Sequence, residues 1–365
     1  MAVAGGAPEK SAFDWAALDG AAAILRAGGL VALPTETVYG LGANALDRAA
    51  VERIFQAKSR PAWDPIIVHI ASEEMLKGLV AEVSVAARRL IGHFWPGPLT
   101  LLLPRTSAVP DAVTAGRPLV GVRMPAHPVA LELIRRAGVP VAAPSANRFG
   151  HISPTTAEHV LHDLEGRIDA VLDAGPSPRG MESTVLDPSP MPMIIYRPGA
   201  VTTEEIREVA GPVEVFRNSE PLREMPDEAM PSPGVGIRHY APRARLVLLE
   251  APKFDALKMD APSLEAQLAE LGSRLDAAAR SQAGEQVGVM LPEGVTAPPG
   301  IATERVFAWG RWNAHAELAQ RLYRGLRALD AAGCTVILCP LPAAEGIGVA
   351  ILDRLRKAAG GYTST

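Results

Sequence analysis

Short apolar runs rich in valine and isoleucine alternate with segments of helical period from residue 21 to about residue 211. This alternation is typical of an α/β domain, in which helices cover a sheet. The apolar runs predict strands at residues 29–33, 65–70, 99–103, 119–122, 139–143, 170–172, 184–186 and 194–196. So many strands require a sheet larger than that of a small subdomain.

A polar stretch with several prolines interrupts the alternation between residues 212 and 242, and we interpret it as an interdomain linker. Beyond it, strands are predicted at 245–249, 286–291, 305–308 and 334–339, and helices at 263–283, 314–332 and 349–358. The sequence therefore predicts an α/β domain over residues 1–211, a linker over 212–242, and a smaller, Rossmann-like α/β domain over 243–365.

Composition narrows the classes of function. A chain of 365 residues exceeds the size of one ordinary core, which agrees with two domains. The net charge of -4 disfavours a protein that coats nucleic acid, because such proteins carry a basic surplus. No apolar run reaches the roughly 18 residues of a membrane span, and the N-terminus has no apolar signal-peptide run. We therefore expect a cytoplasmic protein without membrane contact.

The chain has two cysteines, Cys334 and Cys339, within one apolar run that reads as a strand. Residues five apart on a strand point to opposite faces, which disfavours a shared metal ion or a mutual disulfide. We predict two buried free thiols.

His159 and His162 lie on one predicted helix, but two candidate ligands without a third do not make a metal site.

A helix is predicted to begin after Asp47, whose carboxylate can cap it, and Pro61 prevents its continuation. Lys58 and Arg60 therefore fall at the end of this helix or just beyond it. Cations are favoured there by the helix dipole, so the pair taken alone has a purely structural explanation.

The glycine-rich segment after the first predicted strand is ambiguous. Gly40, Gly42 and Ala45 fit the dinucleotide pattern G-x-G-x-x-A, but the strand-and-acid context of that pattern is not clear here. We interpret the segment as a tight strand-turn-helix connection. The sequence also lacks the common phosphate-loop, serine-hydrolase and zinc-protease signatures, so any nucleotide chemistry must use an unusual cradle.

Two serine-containing segments are equally ambiguous alone. Ser145 and Asn147 follow a strand and are ordinary turn residues. Ser153 before Pro154 fits the start of a helix, with the serine as its cap and the proline in its first turn.

In their order along the chain, these motifs resemble the YrdC-like family. The runs that carry the resemblance are Pro34 to Gly42, Lys58 to Arg60, Trp95 to Thr100, Val122 to Pro125, Ala143 to Asn147, Glu182 to Thr184 and Arg197 to Gly199. In the linker, Ser232-Pro233-Gly234 and His239-Tyr240-Ala241-Pro242 are similar to the long, two-domain form of threonylcarbamoyl-AMP synthases. The resemblance extends over about residues 21–242.

The resemblance implies a YrdC-like twisted-sheet domain with a concave basic pocket and a linker that folds over the active site. It implies an L-threonylcarbamoyladenylate synthase, a nucleotidyltransferase that joins L-threonine to bicarbonate or CO₂, couples the carbamate to the AMP part of ATP and releases pyrophosphate. Mg²⁺ is expected with ATP. The product is expected to supply the tRNA threonylcarbamoyl-transferase machinery that forms N6-threonylcarbamoyladenosine at tRNA position 37, and a weak contact with tRNA is a further expectation.

The resemblance also assigns residues to roles. Lys58 and Arg60 are expected to be the catalytic cations. The residues expected at ATP are Lys58, Arg60, Asp64, Ser145, Asn147, Ser153, Arg197, His239 and Tyr240, although Asp64 stands where many relatives have asparagine. Those expected at threonine are Thr35, Thr37, His69, Arg123, Ala143 and Ser183. No protein ligand is assigned to the metal ion.

Two other functions stay open at this point. An RNA-binding module would use the same basic pocket, although the acidic net charge disfavours it. A carbamoyl transferase acting on another protein is the second, because YrdC-like domains also occur inside a larger hydrogenase-maturation enzyme. That enzyme has additional zinc-finger-like cysteine pairs, which Cys334 and Cys339 cannot supply.

Overall fold

The computed structural model describes residues 14–216, 230, 232, 240–250 and 263–360 of the chain. These residues fall into two compact units. The first unit contains residues 14–149 and 153–216 together with 230 and 232. The second contains residues 150–152, 240–250 and 263–360.

The first unit is built on one mixed sheet, in which ten strands are described. In chain order they are β1 (Val31–Leu33), β2 (Gly40–Asn44), β3 (Val68–His69), β4 (Leu99–Pro104), β5 (Leu119–Arg123), β6 (Val141–Ala142), β7 (Ala170–Val171), β8 (Thr184–Asp187), β9 (Met193–Arg197) and β10 (Val213–Val215). Their order across the sheet is β10-β9-β8-β4-β5-β3-β6-β2-β1-β7. Strand β3 pairs parallel with β5 and antiparallel with β6, which places these three strands side by side in the middle.

The helices described in the first unit bury their apolar faces with the strands. They are α1 (Trp15–Arg26), α2 (Arg48–Lys58), α3 (Glu73–Leu79), α4 (Val85–Phe94), α5 (Asp111–Thr114), α6 (Pro128–Ala137), α7 (Ala157–Leu164) and α8 (Thr203–Ala210). Val51 and Ile54 of α2, for example, are fully buried in one cluster with Leu41 of β2 and Val122 of β5. The α/β class predicted from the alternation is confirmed.

Helix α2 shows how local chemistry sets the bounds of an element. The side chain of Asp47 accepts hydrogen bonds from the backbone N–H groups of Ala49 and Ala50, which satisfies two donors of the first turn. The helix ends at Lys58, and Ser59 adopts a left-handed conformation with φ of 53°. The predicted start, stop and position of Lys58 are therefore confirmed.

The glycine-rich segment after β1 differs from the prediction. Gly40 and Gly42 lie in strand β2 rather than in a tight turn. A Cβ atom at Gly42 would lie 2.8 Å from a methyl group of Val141 and 2.9 Å from one of Leu33. Glycine is required because neighbouring strands approach closely, and a sequence pattern does not distinguish that reason from a turn.

Strand β10 lies inside the range predicted as linker. Val213-Glu214-Val215 pairs parallel with β9, so the large sheet continues past residue 211. Three alternating residues form too short a pattern to separate a strand from a loop. The boundary at residue 242 stays a prediction, because most of residues 217–239 lie outside the described part of the chain.

The second unit contains a parallel sheet of the predicted kind. Its described strands are β11 (Arg245–Leu249), β12 (Val287–Pro292), β13 (Val306–Gly310) and β14 (Val336–Pro340), in the order β11-β14-β12-β13. Its described α-helices are α9 (Leu264–Ser281), α10 (His315–Ala331) and α11 (Gly348–Ala358). Each described strand pairing in this sheet is parallel, which confirms the α/β prediction for the C-terminal part.

Two expectations from composition can be compared with the described residues. Cys334 and Cys339 are both buried and free, as predicted, although β14 begins at Val336 and Cys334 precedes it. Burial raises the pKa of the Cys339 thiol. In the part of the chain that the structure describes, no helix is long and apolar enough to span a bilayer.

Candidate active site

The first cluster of predicted site residues surrounds Arg123, at the end of β5. Its guanidinium is buried and makes three contacts. Nε donates to the carbonyl of Gly97 at 3.1 Å, and Nη1 donates to Oγ1 of Thr37 at 3.0 Å. Nη2 lies 2.5 Å from Oε1 of Glu36 in a buried ion pair. His69 on β3 is the register partner of Arg123, so the two residues are neighbours across the parallel pair.

The two threonines of this cluster lie in the bend between β1 and β2. The hydroxyl oxygens of Thr35 and Thr37 are 2.8 Å apart, and the Thr35 hydroxyl also donates to the carbonyl of Val38 at 2.6 Å. Both side chains are buried. Thr37 therefore serves as a bridge between the bend and Arg123, since its oxygen contacts both Thr35 and the guanidinium.

Burial controls the charges in this cluster. Burial and the charge of Arg123 lower the pKa of His69 to about 3, so its imidazole is neutral near pH 7. The Nδ1 atom of His69 has no hydrogen-bond partner among the described residues. Burial alone would raise the pKa of Glu36, but the charge and the hydrogen bond of Arg123 outweigh it and hold that pKa below its ordinary value. The cluster thus combines a carboxylate, a guanidinium and a neutral imidazole.

A second cluster forms where α2 meets the segment after β6. Lys58 is 1% exposed, and its Nζ atom donates to the carbonyls of Ser145, at 2.5 Å, and of Asn147. The backbone of Phe149 in turn donates to the carbonyl of Lys58 at 2.9 Å. The end of the helix and the Ser145–Asn147 segment are therefore fixed to each other through the lysine.

Lys58 is an unusual cation because of its surroundings. Burial lowers its pKa well below the ordinary lysine value, and the charge of Arg60 lowers it further, while Asp64 and Asp163 act in the opposite direction. An anion placed beside Nζ would restore the charged form, since an opposite charge nearby favours ionisation. The site is thus suited to receive negative charge.

The side chains of the Ser145–Asn147 segment bond mainly to each other. The Ser145 hydroxyl donates to Oδ1 of Asn147 at 2.5 Å, and Nδ2 of Asn147 donates to the carbonyl of Arg148 at 2.7 Å. Ala143, predicted at threonine, is buried just before this segment, and its N–H donates to the carbonyl of Ile67. That N–H therefore fixes the strand rather than pointing at a ligand.

Arg60 is engaged by its own loop. Its Nη2 atom lies 2.9 Å from Oδ2 of Asp64 and donates to the carbonyl of Pro65 at 2.7 Å, while Nε donates to the carbonyl of Asp64 at 3.2 Å. Both charged side chains are buried. The structure places Arg60 and Asp64 together beside Lys58, and their assignment to ATP stays a prediction.

Ser153 has a different role from the one predicted by the helix-start pattern. Helix α7 begins at Ala157, and its cap is Thr156, whose side chain accepts from the backbone N–H of His159. The Ser153 hydroxyl instead donates to Oε1 of Glu182 at 2.6 Å, and both residues are buried. The prediction that Ser153 caps the helix is wrong, because a second hydroxyl residue nearer the helix supplies the cap.

A third cluster surrounds Ser183, at the start of β8. Arg197, at the end of β9, donates from Nε and Nη2 to the Ser183 carbonyl at 3.1 and 2.9 Å, and from Nη2 to the Ser183 hydroxyl at 3.0 Å. The hydroxyls of Ser183 and Thr100 are 2.8 Å apart. Ser183 was predicted at threonine and Arg197 at ATP, and the structure brings these two residues into direct contact.

Backbone hydrogen bonds join the three clusters. Gly40 forms an isolated bridge with Ser145, and the N–H of Ala146 donates to the carbonyl of Tyr39 at 2.8 Å. The N–H of Thr184 donates to the carbonyl of Pro98 at 3.0 Å, next to the Gly97 carbonyl that contacts Arg123. The buried arginine, the buried lysine and the hydroxyl residues therefore belong to one continuous part of the first unit.

Comparison with known proteins gives the family of the chain. A family model described as Telomere recombination matches residues 23–199, and one described as Threonylcarbamoyl-AMP synthase, C-terminal domain, matches residues 201–360. The threonylcarbamoyl-AMP synthase of Pyrococcus abyssi is 42% identical over 340 residues, which are 93% of each chain. The chain belongs to the threonylcarbamoyl-AMP synthase family.

Two further relatives agree with this membership. The threonylcarbamoyl-AMP synthase of Bacillus subtilis is 42% identical over 343 residues, covering 93% of this chain and 92% of its own. The crystal structure of Pyrococcus abyssi Sua5 complexed with L-threonine matches with a TM-score of 0.86 and 39% identity, covering 99% of this chain and 98% of that one. The family resemblance and the fold class inferred from the sequence are confirmed.

Two of the residues predicted at ATP, His239 and Tyr240, belong to the predicted linker. His239 lies outside the described residues. Tyr240 belongs to the second unit, where its ring is 4% exposed, stacks on Tyr323 with centroids 5.7 Å apart and lies 5.2 Å from the guanidinium of Arg354. Its φ of 66° is rare for a residue with a side chain. Contact of either residue with ATP stays a prediction.

Sequence reasoning missed three partners within this candidate site. Glu36 pairs with Arg123, Glu182 accepts from Ser153, and Thr100 contacts the Ser183 hydroxyl. All three belong to runs that carry the family resemblance, so their membership in those runs was the available signal. Among the described residues, no group of three or more His, Cys, Asp or Glu side chains could hold a metal ion.

Proposed function

We propose that this chain forms threonylcarbamoyl-AMP and pyrophosphate from L-threonine, bicarbonate and ATP. The observation that carries the proposal is a buried arginine and a buried lysine in one continuous part of the first unit, in a chain 42% identical to synthases over 93% of its length. The product would supply a tRNA threonylcarbamoyl-transferase. A cytoplasmic location fits this role, because a tRNA-modifying pathway draws on ATP and tRNA there.

The cluster around Arg123 is the proposed threonine site. Its relative in Pyrococcus abyssi has been crystallised with L-threonine. A planar guanidinium matches a carboxylate in a two-pronged contact. Nδ1 of neutral His69 has no partner among the described residues, so it suits a hydrogen bond with the threonine hydroxyl. A site built to bond a hydroxyl discriminates strongly against substrates that lack it, because its own polar atom is then left unpaired.

The cluster around Lys58 is the proposed ATP site. Lys58 and Arg60 supply positive charge next to the Ser145–Asn147 segment, where triphosphate oxygens would restore the charged form of Lys58. A Mg²⁺ ion bound with ATP would neutralise part of the phosphate charge. The carboxylates of Asp64 and Glu182 already contact Arg60 and Ser153, so ATP and water would supply most of the ligands of such an ion.

The chemistry needs orientation and charge rather than a protein nucleophile. The threonine nitrogen bonds to the carbon supplied by bicarbonate, with loss of water, and gives a carbamate. A carbamate oxygen then attacks the α-phosphorus of ATP, and the bond to the β-phosphate oxygen breaks to release pyrophosphate. Buried cations fixed before the reaction can hold two anions close together and stabilise the departing charge. Arg123 would hold the amino acid and Lys58 the phosphates.

The test is direct. The full-length chain is incubated with ATP, Mg²⁺, bicarbonate and threonine, and pyrophosphate and the product mass are followed, with serine as the alternative substrate. We expect threonine-dependent pyrophosphate and a product of the mass of threonylcarbamoyl-AMP. Lys58→Met should reduce the rate at least roughly a hundredfold, since it removes a preorganised cation.

Lys77→Met is the matched control, because Lys77 is an exposed lysine on α3 paired with Glu74 at 2.6 Å. Its rate should equal that of the wild type. Pyrophosphate release that does not depend on threonine would refute the proposed function. A normal rate in Lys58→Met would refute the role of the lysine while leaving the function standing.

A further inference from the structure

Glu36 is a buried charged residue to which the proposed reaction assigns no role. It lies in the bend between β1 and β2, is 6% exposed, and its Oε1 atom is 2.5 Å from Nη2 of Arg123. Arg123 itself is 3% exposed. A buried carboxylate is retained where a partner compensates it, and this ion pair joins two segments that are far apart in sequence.

The contacts of Arg123 come from three directions. Glu36 contacts Nη2, Thr37 accepts from Nη1, and the Gly97 carbonyl accepts from Nε. A guanidinium has five N–H groups, so these three contacts leave one N–H on each terminal nitrogen without a partner among the described residues. A carboxylate accepts from two N–H groups of one guanidinium in a two-pronged contact, and these two groups are available for it.

We propose that Glu36 is a positioning residue, which orients Arg123 so that its two remaining N–H groups face the carboxylate of the amino-acid substrate. This inference rests on the proposed threonine site. If Glu36 is removed, the contacts with Thr37 and Gly97 still hold one side of the guanidinium, but Nη2 has no fixed partner. The arginine can then rotate about its long side chain, and part of the binding energy is lost in ordering it again.

A positioning role predicts that the substrates are affected unequally. Glu36→Gln keeps the volume and one acceptor oxygen, whereas Glu36→Ala removes both the charge and the contact. We expect the threonine KM to rise roughly tenfold or more in Glu36→Ala and less in Glu36→Gln. A rise of this size corresponds to the loss of one hydrogen bond to a charged group. The ATP KM should stay within about twofold, because Lys58 and its partners are untouched. The matched control is Glu132→Gln, which removes a carboxylate paired with Arg135 and Arg136 on α6.

A double-mutant cycle separates positioning from direct contact. Threonine affinity is measured by calorimetry on the full-length wild type, Glu36→Gln, Arg123→Lys and the double variant, without ATP. If Glu36 acts through the orientation of the guanidinium, its substitution should cost little once Arg123 is lysine. Additive losses would overturn the proposal by showing that Glu36 contacts the substrate independently. Equal rises in both KM values, together with a lowered melting temperature, would overturn it in favour of a structural role.

The same calorimetry distinguishes this inference from the proposed function. If the wild type binds threonine but makes no product, the function fails and the cycle still tests Glu36. If Glu36→Ala does not fold, Glu36→Gln and the cycle carry the test. Threonine affinity unchanged in Glu36→Gln and in Glu36→Ala would refute the positioning role even with a fully active synthase.

Discussion

His69 illustrates how burial sets the chemistry of a single residue in this protein. Its ring is 4% exposed beside Arg123, and burial with that neighbouring charge lowers its pKa to about 3. The imidazole is therefore neutral through the physiological range, so it can bond a hydroxyl but does not act as a cation toward a substrate carboxylate. Arg123 provides the charge, and His69 provides a polar, uncharged neighbour.

This charge state has a measurable consequence for stability. The unfolded chain protonates His69 near pH 6.5, whereas the folded chain does so near pH 3, so the unfolded state binds more protons between these values. The stability linked to neutral His69 is present above pH 6.5 and is lost as the pH falls toward 3, at about 1.4 kcal/mol per pH unit at most. His69→Gln should therefore show a shallower loss of unfolding free energy in acid.

Chemical denaturation at a series of pH values measures this difference. His93→Gln is the control, because that side chain is exposed in the last turn of α4. Its curve should run parallel to that of the wild type. Identical slopes for His69→Gln and the wild type would show that the imidazole is not held neutral by the fold.

Residue positions were predictable from sequence only where the cause is local. The place of Lys58 follows from the cap at Asp47 and the stop at Pro61, which flank one helix closely. The contacts of Arg123 do not follow from a local pattern, since Glu36 and Thr37 lie 87 and 86 positions away and meet it only after the sheet forms. The family resemblance placed Thr37 with Arg123 at threonine, and it did not assign Glu36. Individual motifs therefore gave ambiguous interpretations, and only their order along the chain indicated the family.

Elements also differ in how well the sequence specifies them. The helices α2 and α10 and the strand β11 match their predicted bounds closely, because apolar periodicity is clear in all three and the Asp47 cap adds to it in α2. Strands β2 and β10 were missed. The glycines of β2 led to its interpretation as a turn, and β10 is only three residues long. Both depend on pairing, of β2 with β1 and β6 and of β10 with β9, which the pattern within one segment does not contain.

The close packing at Gly199 gives a prediction at this scale. Gly199 follows β9, and a Cβ there would lie 2.5 Å from the carbonyl carbon of Ser183 and from the backbone nitrogen of Thr184. Backbone cannot yield as a flexible side chain does, so Gly199→Ala should force the end of β9 away from the start of β8. We expect a loss of about 1–3 kcal/mol in unfolding free energy, typical of overpacking, and a severalfold higher ATP KM as the contact between Arg197 and Ser183 is strained.

Gly92→Ala is the matched control, since a Cβ at that position in α4 meets nothing within 4 Å. Alanine favours a helix more than glycine does, so this variant should be as stable as the wild type or more stable. Denaturation monitored by circular dichroism measures the stability, and the dependence of the rate on ATP measures the ATP KM. A Gly199→Ala protein with unchanged stability would show that the two strand ends are not in rigid contact.

At the level of the whole molecule, charge and its burial disfavour the RNA-binding module that the sequence left open. The chain has a net charge of -4. The cations of the candidate site, Lys58, Arg60, Arg123 and Arg197, are all at most 9% exposed and already contact carbonyls, hydroxyls or carboxylates. Side chains held in this way can reach a small anion that enters a pocket, but they cannot spread along an RNA backbone.

This arrangement predicts weak tRNA binding with little dependence on salt. Each phosphate contact by a surface cation adds a little under one unit to the slope of log affinity against log salt, so an RNA-binding module should show a slope of roughly six or more. Filter binding of unmodified tRNA to the full-length chain, from low to physiological salt, should instead give a slope of about two or less. ATP in excess should leave that binding unchanged if the buried cations bind ATP, as we propose. A steep slope together with competition by ATP would place tRNA on those cations and favour the RNA-binding function.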